Sequence, residues 1–354
     1  MRWDIFCQVI DNYGDAGVCW RLCRALAHGN DIRIRLFCDD LKVLDAIAHG
    51  NATATGQIIG IDVQPWNQAE HVSDCADVVI ESFACNLPDA YIQTMVARQQ
   101  TSRPAVWMNL EYLTAESFAD TMHLMPSPQN NGLTKYFFFP GFSEKTGGVL
   151  LGDWYQVTNR PVPESLSPSM KLCRPGALKV SVFQYPTTSI FHWLEQLNEA
   201  LASAERQADI LITTNQNVPE GASLSHLQLI RLPFVPQEDF DWLLAHCDLN
   251  LVRGEDSFVR AQWAGKPFIW DIYPQSDQAH EIKHAAFLER YLQGTSSVVR
   301  DAAHALMARS PASDWLGYLD LLTEHAQSWE QKLRNSDGLE VKIVNFVKSQ
   351  EKSR

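Results

Sequence analysis

The sequence predicts an α/β protein made of two Rossmann-like halves, each with a parallel sheet covered by helices. Short apolar runs alternate with amphipathic stretches, the alternation restarts near residue 178, and a Pro- and Ser-rich segment separates the two series. Strand and helix in regular succession are typical of parallel sheets with helices on both faces. The 354 residues suffice for about two domains of ordinary size.

The first half begins with a predicted buried strand over residues 3–10, WDIFCQVI. Apolar residues at helical spacing predict that a helix follows over 17–29, starting near Gly17. Further strands of this half are predicted at 32–40, 76–84 and 105–113. We assign residues 1–157 to an N-terminal Rossmann-like domain.

The second half repeats the pattern after a linker over 155–177. Its predicted strands are 178–185, 208–214, 227–235, 248–254 and 266–274. We assign residues 175–329 to a second Rossmann-like domain. The charged segment from about 330 to 354 is predicted to be helical and could pack back on the first domain. Ligands of such sheets bind outside the carboxyl ends of the strands, here in a cleft expected between the two halves.

The composition excludes several classes of protein. A formal net charge of −13 disfavours nucleic acid as a bulk partner, because like charges repel the phosphate backbone. The chain has no apolar run of about 18 residues, so no membrane span is expected. The N-terminal apolar run is short and interrupted by Asp4 and Asp11, unlike a signal peptide. The eight scattered cysteines are typical of reduced, buried thiols, and we expect a cytoplasmic protein.

The segment HEIKH, from His280 to His284, matches the H-E-x-x-H pattern of zinc proteases. A catalytic zinc needs a third protein ligand and an open position, and the residues that follow lack the extended metzincin spacing. We expect no metal site here, and we expect His280 and Glu281 to lie near a donor or on a solvated helix face.

The loop after the first predicted strand, DNYGDAG, carries two carboxylates, Asp11 and Asp15. One of them could cap the helix that follows by accepting hydrogen bonds from its free N–H groups. Alternatively, a carboxylate held at the carboxyl end of the strand could act as a base toward a bound ligand. Two aspartates four positions apart exceed what capping requires, which favours the second interpretation.

The second half contains RGEDS, a stretch that opens a helix. The N–H groups and positive dipole end of such a helix suit a diphosphate, Arg253 adds charge, and Glu255 could hydrogen-bond a ribose hydroxyl. Upstream, Phe234 and Phe240 flank Pro236 and Gln237 and could sandwich a base. RGEDS is followed by G-x-P and by P-x-x-D-Q before a helix, an order that resembles the donor half of GT-B glycosyltransferases.

Longer stretches narrow this resemblance to one family. They are DNYGDAGVCWRL, ESFACNLP, NLEYL, FFPGFSEKTGGVL, SVFQY and RGEDSFVRAQWAGKPFIWDIYPQ. Together they resemble the EarP family of protein-arginine rhamnosyltransferases over nearly the whole chain. The resemblance implies an inverting GT-B enzyme that transfers L-rhamnose from dTDP-β-L-rhamnose to an arginine of translation elongation factor P, thereby supporting rescue of ribosomes stalled at consecutive prolines.

The resemblance also implies that the N-terminal domain, 1–157, binds the acceptor and that the second domain, 175–329, binds the nucleotide-sugar donor. It implies roles for individual residues as well. Asp15 would be the catalytic carboxylate with Asp11 in support, and Glu255 is a further catalytic candidate. The implied donor-binding residues are Phe183, Tyr185, Phe234, Gln237, Phe240, Arg253, Glu255, Asp256 and Ser257. No D-x-D motif follows a strand as a metal-dependent GT-A enzyme requires, so we expect neither a metal nor a cofactor.

Two other functions stay open on the residues alone. A nucleotide-sugar enzyme of the same shape, such as an epimerase, would turn over its substrate without a protein acceptor. A non-catalytic partner of a translation factor would use the Asp15 loop only as a helix cap, and would bind the factor but no nucleotide.

Overall fold

The computed structural model of the chain divides into two compact units. Unit 1 comprises Met1–Asp153 and Arg334–Arg354, and unit 2 comprises Trp154–Leu333. The structure describes residues 1–10, 13–28, 30–48, 61–101, 103–151, 159–184, 189–213, 224–272 and 278–352. The C-terminal segment therefore belongs to the same unit as the N-terminus.

In the described part of unit 1, seven strands form one sheet in the order β3-β2-β1-β4-β5-β7-β6. These strands are β1 (Arg2–Cys7), β2 (Arg33–Cys38), β3 (Ile61–Pro65), β4 (Val78–Ser82), β5 (Val106–Leu110), β6 (Pro126–Pro128) and β7 (Thr134–Phe138). The pairs from β3 to β7 are parallel, and the short edge strand β6 runs antiparallel to β7. Because β1 lies between β2 and β4, the strand order reverses direction at the carboxyl ends of β1 and β4.

The helices of unit 1 cover this sheet. They are α1 (Tyr13–Ala27), α2 (Leu41–Ile47), α3 (Asp89–Gln99), α4 (Ala119–Met122) and α12 (Leu339–Lys352), with a 3₁₀ helix at Trp66–His71. Helix α12 packs its buried face, which includes Leu339, Ile343 and Phe346, into the core around β1 and α1. The turn into α12 depends on Gly148, whose φ is +76° and whose Cβ, if present, would lie 2.5 Å from the Asp337 carbonyl oxygen.

In the described part of unit 2, five parallel strands follow the order β10-β9-β8-β11-β12. They are β8 (Leu178–Val182), β9 (Ala208–Ile212), β10 (Leu227–Arg231), β11 (Leu249–Val252) and β12 (Phe268–Trp270). The helices are α5 (Ser167–Met170), α6 (Phe191–Ser203), α7 (Gln237–His246), α8 (Glu255–Trp263), α9 (Ala279–Tyr291), α10 (Ser297–Met307) and α11 (Leu319–Arg334). Here the order reverses between β8 and β11.

Helices α7 and α8 of unit 2 are locked together by a buried ion pair. Arg260 on α8 donates from Nε and Nη2 to the Asp241 carboxylate on α7, at 2.9 and 2.6 Å. Both side chains are buried, and the two-point geometry compensates the cost of removing the charges from water. Phe258 on α8 stacks on Trp270 of β12, with ring centroids 3.7 Å apart. The start of α8 is therefore held rigidly at the carboxyl edge of this sheet.

The parallel α/β character of both halves is confirmed, but several predicted boundaries are wrong. Strand β1 ends at Cys7 rather than at residue 10, and α1 begins at Tyr13 rather than near Gly17. Gly14 and Gly17 thus lie inside the helix, because a helical turn tolerates glycine when tertiary packing covers it. The predicted single tail helix is two helices, α11 and α12, which are separated at residues 335–338.

All eight cysteines are free of disulfides, and seven of them are buried, as expected of reduced thiols. Across the described ranges, none of the helices combines the length and the apolarity needed to cross a bilayer.

Candidate active site in two parts

Both units place candidate site residues where the strand order reverses. In unit 1, Asp15 follows β1 and Tyr112 follows β5, while Phe83 follows β4. In unit 2, Phe183 follows β8 and Arg253 follows β11. Loops at the carboxyl ends on either side of such a reversal are where open α/β sheets bind ligands. Each unit therefore carries its own group of candidate site residues.

In unit 1, Asp15 is a buried carboxylate in the first turn of α1, with 2% of its surface exposed. Its Oδ2 accepts a hydrogen bond from the Ile10 backbone N–H at 2.9 Å, and its Oδ1 accepts one from the Tyr112 phenol at 3.0 Å. Both of these donors lie outside the helix, so Asp15 does more than cap it. A carboxylate is also the acceptor that a guanidinium group pairs with through charge-assisted hydrogen bonds.

Tyr112 is a contact of Asp15 that the sequence analysis missed. Its ring is 37% exposed and stacks on Phe83, with centroids 4.2 Å apart and planes inclined by 9°. The sequence stretches ESFACNLP and NLEYL contain both residues, but nothing in their spacing shows that the two loops meet. Tyr112 and Asp15 are 97 positions apart in the chain.

Polar side chains of the neighbouring strands support the loop around Phe83. Asn109 Oδ1 accepts a hydrogen bond from the Ala84 N–H at 2.9 Å, and the Asn109 amide donates to Glu111. Burial raises the pKa of Glu111 above its ordinary value, and the hydrogen bond from Asn109 partly opposes that rise. Glu81 accepts from Lys135 at 3.1 Å and from the Asn86 N–H at 3.3 Å. The loop is thus anchored on β4, β5 and β7.

In unit 2, Arg253 bridges the ends of the two central strands. Its Nη1 donates to the Gln184 carbonyl at 3.2 Å, and its guanidinium carbon lies 4.2 Å from the centre of the Phe183 ring. Arg253 is 9% exposed, so its charge is largely desolvated beside the aromatic ring. A cation held in this way at the start of α8 provides a fixed charge for an anionic ligand such as a diphosphate.

Ser257 and Asp256 organise the start of α8. The Ser257 hydroxyl donates to the Arg253 carbonyl at 2.7 Å and accepts from the Arg253 N–H at 3.1 Å. Asp256 Oδ2 accepts from Gln237 Nε2 at 3.0 Å, which joins the first residue of α7 to the first turn of α8. The predicted donor residues Arg253, Asp256, Ser257 and Gln237 are therefore neighbours in the folded chain.

The two phenylalanines predicted to sandwich a base differ in their surroundings. Phe234 lies in the loop after β10 and is 42% exposed. Phe240, on α7, is 7% exposed and contacts Phe183 edge-on at 5.3 Å between ring centres. Phe240 therefore braces Phe183, whereas Phe234 is an exposed aromatic side chain. The predicted site residues Asp11 and Tyr185 lie outside the described residues.

The HEIKH segment forms the first turns of α9. Glu281 is exposed, and the His284 ring lies 5.9 Å from the Trp270 ring. Burial lowers the pKa of His284, and nearby His304 and His280 lower it further. Lys283 Nζ lies 3.8 Å from Glu255 Oε2, at the start of α8. The described residues contain no group of three or more His, Cys, Asp or Glu side chains that could hold a metal.

Three comparisons place the chain among known proteins. A family model described as Elongation-Factor P (EF-P) rhamnosyltransferase EarP matches residues 3–348. The protein-arginine rhamnosyltransferase of Pseudomonas putida KT2440 is 40% identical, over 98% of both chains. A solved structure of EarP-mediated arginine glycosylation of translation elongation factor EF-P matches with a TM-score of 0.63 and 28% identity, covering 98% of this chain and 99% of the other.

A more distant solved structure supports the fold alone. The spinosyn rhamnosyltransferase SpnG, complexed with thymidine diphosphate, matches with a TM-score of 0.54 and 13% identity, over 98% of this chain and all of the other. With two parallel α/β sheets and these neighbours, the predicted GT-B fold is confirmed.

Proposed function

The chain belongs to the EarP family of EF-P rhamnosyltransferases and is a protein-arginine rhamnosyltransferase, and from this premise we propose its substrates and mechanism. The acceptor is an arginine side chain of translation elongation factor P, and the donor is dTDP-β-L-rhamnose. The transfer inverts the configuration at the anomeric carbon and needs no metal. The rhamnosylated factor then acts in the rescue of ribosomes stalled at consecutive prolines.

The observation that carries the mechanism is the buried carboxylate of Asp15 at the reversal point of unit 1. The Ile10 N–H holds one of its oxygens and the Tyr112 phenol holds the other. A planar guanidinium binds a carboxylate through two parallel N–H···O hydrogen bonds. Asp15 thus suits a guanidinium, the planar group that distinguishes an arginine side chain from other acceptor side chains.

The chemical difficulty is that an arginine side chain has a pKa above about 12 and is a poor nucleophile while it is protonated. A carboxylate is a far weaker base than a neutral guanidine, so it cannot remove the proton in advance. Asp15 instead orients the guanidinium, localises its charge away from the attacking nitrogen, and takes the proton as the C–N bond forms. Positioning of this kind supplies up to about 7–11 kcal/mol, and general-base assistance adds roughly 10²–10⁴-fold.

The leaving dTDP is stabilised in unit 2 by fixed charge and backbone N–H groups. Arg253 provides the charge, and the start of α8 at Glu255 provides the N–H groups and the positive dipole end. Phe234, exposed beside α7, stacks on the thymine, and Glu255 binds the ribose. Because protein groups neutralise the diphosphate here, the proposal requires no divalent cation.

The experiment that tests this proposal is the intact mass of elongation factor P after incubation with the enzyme and dTDP-β-L-rhamnose in EDTA. We expect a gain of one deoxyhexose, and a loss of turnover of at least ~10²-fold in Asp15→Asn with dTDP affinity unchanged. Loss of dTDP affinity in Asp15→Asn would instead make Asp15 a donor ligand. Restoration by Mg²⁺ of activity lost in EDTA would refute metal independence.

The same incubation tests the alternatives. An epimerase-like nucleotide-sugar enzyme would consume dTDP-β-L-rhamnose in the absence of an acceptor protein. Nuclear magnetic resonance of the sugar would detect this turnover. A non-catalytic partner would bind the factor and leave its mass unchanged.

A further inference from the structure

We infer that Tyr112 is a positioning residue for the Asp15 carboxylate, and that the turn from Phe83 to Asn86 exists to hold Tyr112 in place. The inference rests on the proposed role of Asp15 and extends it by two loops that follow other strands of unit 1. It is carried by a chain of contacts that runs from Asn109 to the Ala84 N–H, then from the adjacent Phe83 to Tyr112, and from Tyr112 to Asp15.

The turn after β4 concentrates backbone strain. Phe83, Ala84 and Asn86 have φ values of 56°, 55° and 52°, in the left-handed region that residues with side chains rarely adopt. Only Asn among these three tolerates that region readily. Three such residues within four positions persist only where the surrounding structure over-determines them, and such clusters are typical of functional sites.

The surroundings that impose this turn are visible as hydrogen bonds. The Phe83 N–H donates to the Leu110 carbonyl at 2.7 Å, and the Ala84 N–H donates to Asn109 Oδ1 at 2.9 Å. The Asn86 N–H donates to Glu81 Oε1 at 3.3 Å. These hydrogen bonds compensate the strain of the turn. A relaxed turn would present a different side of the chain to β5, so the strained conformation is what sets the direction of the Phe83 side chain.

Phe83 is directed onto the ring of Tyr112. The rings are nearly parallel, 9° apart, with centroids at 4.2 Å. Tyr112 is partly exposed, and an exposed ring on a loop would otherwise sample several rotamers. The stack leaves one orientation, in which the phenol donates to Asp15 Oδ1 at 3.0 Å.

The consequence for catalysis is geometric. The Ile10 N–H holds Asp15 Oδ2 and the phenol holds Oδ1, so the plane of the carboxylate is defined by two donors. A guanidinium must meet that plane to form parallel hydrogen bonds, and misplacement by about 1 Å lowers turnover about 10²-fold. Loss of the phenol would remove the donor that holds Oδ1.

The first test is Tyr112→Phe, which keeps the stack on Phe83 and removes only the hydroxyl. We expect kcat for rhamnosylation of elongation factor P to fall at least ~10-fold, with dTDP affinity unchanged. The matched control is Tyr136→Phe, which deletes another hydroxyl of unit 1 whose partner is Gln350, at 3.3 Å. Wild-type kcat in Tyr112→Phe would overturn the inference.

A double-mutant cycle separates positioning from a general structural role. If Tyr112 acts through Asp15, then Tyr112→Phe should lower kcat less than about threefold in an Asp15→Asn background, because the group it positions is already lost. Full additivity of the two losses would refute the coupling. Phe83→Leu, which keeps the phenol and removes the stack, provides a second variant and should lower kcat in the same coupled manner.

Failure of this inference is distinguishable from failure of the proposed function. If the wild-type enzyme leaves elongation factor P unmodified, the function is wrong. If the wild type and Tyr112→Phe modify the factor equally fast, the function stands and the positioning role is wrong.

Discussion

At the scale of single residues, the candidate site combines buried charge with aromatic contacts. Asp15 and Arg253 are both nearly covered, yet each is held by hydrogen bonds that come from separate loops. Buried charge costs free energy unless such partners are present, which explains why each is surrounded by oriented donors or acceptors. The sequence indicated both residues and also Phe183 and Ser257, which contact Arg253, but it did not indicate Tyr112 beside Asp15.

Arg253→Lys should weaken dTDP binding about 10-fold. A lysine ammonium cannot cover the Phe183 ring and reach the Gln184 carbonyl at the same time, because it lacks the planar fork of guanidinium. Isothermal titration calorimetry with dTDP measures the change. Arg206→Lys, an exposed arginine at the opposite end of the strands of unit 2, is the control and should bind dTDP as the wild type does.

His123 makes the stability of the protein sensitive to acid. Burial, with a smaller contribution from Lys342, lowers the pKa of His123 from 6.5 to about 4, and its Nδ1 accepts a hydrogen bond from the Phe139 N–H at 3.1 Å. The unfolded chain therefore takes up this proton between pH 6.5 and about 4, while the folded chain resists it. The contribution of neutral His123 to the free energy of unfolding is complete above pH 6.5, and the free energy of unfolding falls by roughly 1–2 kcal/mol as the pH drops through that window.

The variant His123→Asn isolates this effect, because its side-chain oxygen can accept the same hydrogen bond and does not titrate. Urea unfolding at pH 7.5 and pH 5 should show a smaller loss of stability in the variant than in the wild type. Equal losses in both proteins would show that His123 does not titrate across this window.

Among the helices, α8 forms part of the candidate site of unit 2, and α12 completes the core of unit 1. Helix α8 begins at Glu255 directly after β11, so its first N–H groups, which have no carbonyl partner within the helix, lie at the carboxyl edge of the sheet. The segment predicted to be a single tail helix instead ends at Arg334 and restarts at Leu339, because the chain must turn to place α12 in the core of unit 1. The HEIKH segment forms the first turns of α9, where His284 lies against Trp270 and Lys283 lies near Glu255.

Phe346→Ala should destabilise unit 1 by about 3–5 kcal/mol. Phe346 is buried and makes edge contacts with Tyr136 and Phe138, at 5.2 and 6.2 Å between ring centres. Removing the ring leaves a cavity between α12 and β7 that neither element can close. Urea denaturation measures the loss, and Val341→Ala, at an exposed position of the same helix, should change stability by less than about 0.5 kcal/mol.

At the scale of the whole molecule, a ligand that binds only the folded chain stabilises it by mass action. We expect dTDP at a hundredfold excess over its dissociation constant to stabilise the fold by about 2.7 kcal/mol, with or without EDTA. Thermal unfolding measures the shift. Asp15→Asn should retain the full shift and Arg253→Lys should lose much of it, whereas an EDTA-sensitive shift would contradict metal-free binding.

The sequence by itself determined the alternation of strand and helix, the two-part α/β organisation and the family. Local periodicity encodes which stretches are strands or helices, and long peculiar stretches such as RGEDSFVRAQWAGKPF identify relatives. It also indicated that Asp15 and Arg253 follow strands, since both positions depend only on neighbouring residues. The starts and ends of elements were predicted less well, as at Tyr13, because packing overrides local preference there.

Only the tertiary structure decided which loops meet. Strand order is set by packing across the sheet, so β1 lies next to β4, and the loop after β5 reaches Asp15 from 97 positions away. The strained turn at Phe83 and the phenol of Tyr112 have no local signature, since each acquires its role from a contact with another strand's loop. Periodicity along a chain specifies elements, but the contacts that orient a catalytic group form between elements distant in sequence.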